Sequence, residues 1–135
     1  MIVKGEQLLI IGLCITGILA VCGFMKLLRS DRTLIILTVL TIPIGVFGLC
    51  LIGDNTEMVN GNGATTLVSP FIYITSYALL RMLYKRIYKM EPTYERFSWY
   101  DAEEGRKQNW LDVTVHILPM LLGFIVPIII EEIIN

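Results

Sequence analysis

The chain has a single histidine, and its three cysteines form no C-x-x-C pair. One imidazole cannot hold a haem between two histidines, and Cys14, Cys22 and Cys50 lack the histidine partners of a zinc site. Each cysteine falls inside a hydrophobic run, where a thiol serves as a small apolar filler. No carboxylate pair stands in the middle of such a run, and no serine keeps recognisable catalytic company with histidine or lysine. Hydrolytic and metal chemistry therefore have little to work with, so the chain is expected to be no enzyme and to carry no cofactor. Repeats and low-complexity tracts are also missing. The stretch GDNTEMVNGNGATT, residues 53–66, contains no cation and no glycosylation sequon.

Polar chain is scarce as well. The 135 residues are 55% apolar, above the roughly 45–50% of soluble domains. The excess is concentrated in Leu8–Met25, Leu34–Gly53, Leu67–Leu80 and Val113–Ile130, which hold no lysine, arginine, aspartate or glutamate and, besides the three cysteines and two tyrosines, only His116. Taken to their natural ends, the runs cover about 8–28, 34–53, 67–84 and 113–130. Each has the length that crosses roughly 30 Å of hydrocarbon as a helix. One such run is compatible with a buried helix, but four leave too little polar chain to cover them. The expected fold is an all-α integral membrane protein, a single domain over 1–135 built as a four-transmembrane-helix bundle.

Charge then orients the spans. Ten of the eleven lysines and arginines lie in KLLRSDR or between Arg81 and Lys107, connections that share a side when four spans alternate. Only Lys4 lies on the other side. The positive-inside rule puts the loop at about 85–110 in the cytoplasm and both termini outside. Lys85, Arg86 and Lys89 follow an apolar run rather than forming a solvated helical face, and the net charge is −1. Nucleic acid is excluded as a partner on both grounds. Leu19-Ala20-Val21-Cys22 resembles a lipoprotein cleavage site, but Val21 is a poor residue before the cysteine, so the first span is expected to be retained.

Small residues indicate where helices approach in lipid. Gly12, Thr16, Ala20 and Gly23 form a ridge on span one, and Thr38, Thr41, Gly45 and Gly48 a second on span two. The short turn around Ser30–Arg32 favours packing these ridges against each other, the alternative being a homodimer contact. Ser69-Pro70 has the pattern of a helix start, whereas Pro43, Pro119 and Pro127 are interior and able to kink their spans.

One polar constellation stands out at the cytoplasmic ends. Arg81 is about one turn inside span three, Asp112 opens span four, His116 follows a turn deeper, and Thr38 has a similar depth on span two. Arg81 is expected to pair with Asp112, with His116 and Tyr77 as neighbours. Three readings fit. Arg81 snorkels, Asp112 favours its helix start and His116 meets a carbonyl; or the groups form a gate or ligand site; or they form a specific partner-binding site within the membrane. The loop adds Tyr94, Phe97, Trp99, Tyr100 and Trp110, as an interfacial belt or a partner-docking surface.

The small multidrug exporters also have four short spans, but they rely on a glutamate in the first span, and Leu8–Met25 contains no acid. The expected function is therefore binding: a tetraspan protein of the bacterial inner membrane, with the lipid bilayer and a protein partner or its own oligomer as company. An immunity protein against a membrane-active toxin fits this description. The alternatives are an oligomeric channel, a membrane-perturbing effector of a toxin or defence system, or a small transporter.

Overall fold

A computed structural model describes residues 4–59, 61–95, 100–101 and 105–134. Its main elements are α1 (Gly5–Phe24), α2 (Asp31–Cys50), α3 (Ser69–Tyr88) and α4 (Trp110–Ile134). Four helices are long and apolar enough to cross a membrane, the third as the continuous stretch Gly63–Tyr88. Helix is the form that satisfies every backbone group within its own segment, which hydrocarbon demands.

The connections are tight for identifiable reasons. After α1, Lys26 adopts a left-handed conformation (φ 64°) and Leu27–Arg29 form a 3-10 turn. The Ser30 hydroxyl then accepts from the Thr33 amide at 3.4 Å and caps α2. On the far side, β1 (Glu57–Met58) pairs antiparallel with β2 (Gly61–Asn62). The Asn62 side chain accepts from the Ala64 amide at 3.0 Å and starts a 3-10 helix, Gly63–Val68, that runs straight into α3. The helix start expected at Ser69-Pro70 is thus a joint inside a longer helical stretch. Pro70 lies in the first turn of α3, and Asn62 provides the cap further back. The connection between α3 and α4 contributes a second short pair, β3 (Tyr100–Asp101) with β4 (Arg106–Lys107).

α3 is the central helix. It packs along α4 and also against α1 and α2, whereas α1 and α2 make little contact with one another. This corrects the expected ridge-to-ridge packing. Both small-residue ridges grip the segment that leads into α3. A Cβ added at Gly12 would fall 2.5 Å from the Thr66 carbonyl oxygen, and one at Gly48 would fall 2.6 Å from Leu67 Cβ. Further along α1, the Gly23 position abuts the Tyr73 hydroxyl. Thr16, Ala20, Thr41 and Gly45 are buried too, with Gly45 at ordinary contact distance from Val68 and Phe71. Thr38 is half-buried, and its hydroxyl donates to the Leu34 carbonyl of its own helix at 2.8 Å. A short connection brings two helices near each other, but small residues do not say which backbone fills the gap between them.

Gly5 meets Thr56 and Gly63, and Glu131 meets Gly61. The start of α1 and the end of α4 therefore lie at one end of the molecule, with β1 and β2. On α4 the buried face is Asp112, Val115, His116, Pro119, Gly123 and Pro127, so both interior prolines turn inward.

Candidate functional site

The other end is built around the chain that leaves α3. Lys89 closes the helix in a left-handed conformation (φ 55°), its amide bonding back to the Lys85 carbonyl at 2.9 Å. Glu91-Pro92-Thr93 then fold beneath the helices, and Pro92 and Thr93 are buried.

Arg81, only 4% exposed, is the first anchor. Its Nε donates to Glu91 Oε2 at 2.8 Å and its Nη2 to Glu91 Oε1 at 2.7 Å, a bidentate fit that suits a planar guanidinium. The same side chain bonds Asp31 through Nη1 and the Arg29 carbonyl through Nη2. Lys85 Nζ adds a contact to Glu91 Oε1 at 2.8 Å. Burial works against ionisation of Glu91, but the hydrogen bonds and charges of Arg81 and Lys85 outweigh it and hold the carboxyl below its ordinary range.

Asp112, with no exposed surface, is the second anchor. Arg106 donates to both of its oxygens at 2.9 and 2.8 Å. The Thr93 amide reaches Oδ1 at 3.0 Å and the Asn109 amide reaches Oδ2 at 2.8 Å. In return, the Asp112 amide donates to Asn109 Oδ1 at 2.8 Å, so the two residues cap the start of α4 reciprocally. A third anchor joins Lys26 Nζ to the buried Asp101 at 3.3 Å, and Asp101 accepts from the Thr93 hydroxyl.

The expected Arg81–Asp112 pair is therefore not formed. Each charge has its own partners, and the 91–93 backbone links the two: Arg106 Nη2 donates to the Glu91 carbonyl at 2.9 Å, and Arg29 Nη2 to the Pro92 carbonyl at 3.2 Å. The physical reason is reach. The connection supplies oppositely charged side chains closer to Arg81 and Asp112 than the two are to each other. Thr38 takes no part in this network. Asp31, Glu91, Arg106, Thr93 and Asp101 are members of this network that sequence reasoning missed. The one signal available was Asn109-x-x-Asp112, a reciprocal capping spacing just before an apolar run.

His116 and Tyr77 do come together. The rings meet edge-on with centroids 5.6 Å apart, and His116 also lies against Tyr94 and Phe24. His116 Nδ1 is 2.8 Å from the Asp112 carbonyl, which only accepts, so that nitrogen carries the proton. Tyr77 is fully buried, and its hydroxyl has no hydrogen-bond partner among the described residues. Tyr94 packs inward on Phe24 at 4.9 Å, whereas Tyr100 and Trp110 are exposed. Phe97 and Trp99 lie outside the described residues.

Chemically, this arrangement is a clasp. Opposite charges neutralise each other, carbonyls of the folded-back segment are used as acceptors, and an aromatic layer of Phe24, Tyr77, Tyr94 and His116 sits directly above. No protein-family model matches the chain, and comparison with curated proteins and with solved structures returns no match.

Proposed function

We propose that this chain is a multi-pass protein of a bacterial inner membrane, with the clasp end in the cytoplasm and both termini outside, that works by binding a partner within the bilayer. The orientation rests on the positive-inside rule, since ten of the eleven basic residues fall in the sequence segments 26–32 and 81–107. The partner-binding reading rests on one observation. The buried charges of the clasp, Arg81 and Asp112, are spent on internal pairs, while α2 turns Ile35, Ile36, Val39, Leu40, Val46 and Phe47 outward. A helix buried along so thin a stripe offers most of its surface to lipid or to another membrane helix.

An immunity protein against a membrane-active toxin is the partner-binding role this reading favours. Such a protein leaves the membrane intact when it is made alone. Expression in bacteria, with membrane potential followed by a potentiometric dye, is expected to give no change from an empty-vector control. Depolarisation would overturn the proposal in favour of an oligomeric channel or a membrane-perturbing effector.

A further inference from the structure

The end opposite the clasp holds a cavity of 260 Å³ between α1, α4 and the segment that leads into α3. Its volume lies just below the range of about 300–1,000 Å³ usual for drug-sized ligands, which points to a smaller occupant. Leu9, Phe124 and Ile128 supply apolar walls, and Asn62, Thr65, Thr66, Ser69 and Glu131 supply polar groups.

Of these, the two threonines and the carboxylate present acceptors, and the Asn62 amide is engaged with the Gly53 carbonyl and the Ala64 amide. The Thr65 hydroxyl donates its hydrogen to the Asn62 carbonyl at 2.7 Å, and the Thr66 hydroxyl donates its own to the Gly63 carbonyl at 2.7 Å. Each oxygen then retains only lone pairs. The Glu131 carboxylate is half-buried and has no ion-pair or hydrogen-bond partner among the described residues. Its position is defined by the turn beside it. A Cβ at Gly61 would fall 2.7 Å from both Oε1 and Oε2, and Gly61 has a backbone conformation (φ 123°) that side chains rarely adopt. The glycine thus leaves the space that the carboxylate occupies.

Charge at this end agrees. Glu6, Glu57, Glu131 and Glu132 lie here, and Lys4 lines a separate groove with Glu6 and Glu57. An unpaired carboxylate beside apolar walls is costly to keep unless a cation joins it. We propose that this cavity binds a small amphiphilic organic cation, an ammonium group on a short alkyl chain, with the nitrogen at Glu131 and the chain along Leu9, Phe124 and Ile128. This site is independent of the clasp and of the partner-binding reading.

The test uses the full chain in phosphatidylcholine nanodiscs. Saturable binding of octylammonium, octanol and octyl sulfate is measured by equilibrium dialysis, with protein-free nanodiscs subtracted. Octylammonium is expected to bind at least about tenfold more tightly than octanol, as charge-assisted hydrogen bonds imply, and octyl sulfate is expected not to bind. Glu131→Gln should remove about that same factor and Gly61→Ala should weaken binding, whereas Glu132→Gln, at an exposed neighbour, should stay within about twofold. Equal affinity for octylammonium and octanol would overturn the site, as would the absence of saturable binding. An equal loss in Glu132→Gln and Glu131→Gln would overturn it too, showing a diffuse acidic surface. The wild-type comparison of the three probes decides the matter even if a variant fails to fold.

Discussion

Arg81 and Glu91 grip each other across the end of α3, two nitrogens to two oxygens at 2.8 and 2.7 Å, ten residues apart in sequence. Through that contact the chain leaving α3 is turned back beneath the helices. Removing the arginine leaves Glu91 without its bidentate partner and Asp31 without its counter-charge. Arg81→Met should therefore cost about 2–4 kcal/mol of stability in detergent, below the roughly 3–5 kcal/mol of a fully buried pair because Asp31 and Glu91 are in part exposed. A double-mutant cycle with Glu91→Gln should show coupling of about 1–2 kcal/mol. The matching cycle of Arg81→Met with Asp112→Asn should be close to additive, and strong coupling there would contradict the two-anchor description.

Acid should loosen the same contact. The Glu91 carboxyl is held below its ordinary range, so the folded state keeps it ionised at pH values where the unfolded chain takes up a proton. Its contribution is fully present above the unfolded value of about 4.3 and is lost as pH falls through the lower folded value. Melting temperatures measured from about pH 6 down to pH 3 should fall more steeply for the wild type than for Glu91→Gln. Parallel curves would mean that Glu91 carries no linked stability.

Packing of the glycines makes a graded prediction. Gly12→Ala and Gly48→Ala place a methyl within 2.5 and 2.6 Å of the segment leading into α3, the first against a backbone oxygen. Each should lower stability by about 1–3 kcal/mol through overpacking. Gly45→Ala meets only atoms at 3.8 Å and Gly17→Ala meets nothing within 4 Å, so both should be tolerated. Thermal unfolding in detergent separates the two groups, and a uniform response would argue against the grip on residues 63–68.

Tyr77 supplies a test with the opposite sign. A buried hydroxyl without a partner carries its desolvation cost uncompensated, so Tyr77→Phe should be neutral or should stabilise by up to about 1 kcal/mol. Tyr84→Phe, by contrast, removes the acceptor of the Asn109 side-chain amide at 3.2 Å and should destabilise. A marked loss of stability in Tyr77→Phe would show that its hydroxyl is bonded.

Hydrophobic runs and charge placement made the four helices legible in the sequence, because apolar length is a local property. The depth of Asp112 and His116 was legible for the same reason, and Tyr77 does meet His116 across α3 and α4. The partner of Arg81 was not. Glu91 lies in a connection and Asp31 at the very start of α2, both placed by the packing around them, and no periodicity reports where a Glu-Pro-Thr segment folds. The glycine ridges were visible too, yet small side chains announce only that a backbone comes close. That the backbone is Ala64–Leu67 depends on the Asn62 cap, which extends α3 outward into the gap between α1 and α2. The cavity around Glu131 escaped notice because an acid just past an apolar run looks like a solvated end.

The central claim is that the chain crosses the membrane four times with the clasp inside. Its most direct test is a pair of fusions to a reporter that is active only outside the cytoplasm, one after Asn135 and one near Arg106. Activity is expected for the fusion after Asn135 and none for the fusion near Arg106. The reverse pattern would contradict the orientation, and equal activity at both sites would contradict the single crossing by α4 that separates them.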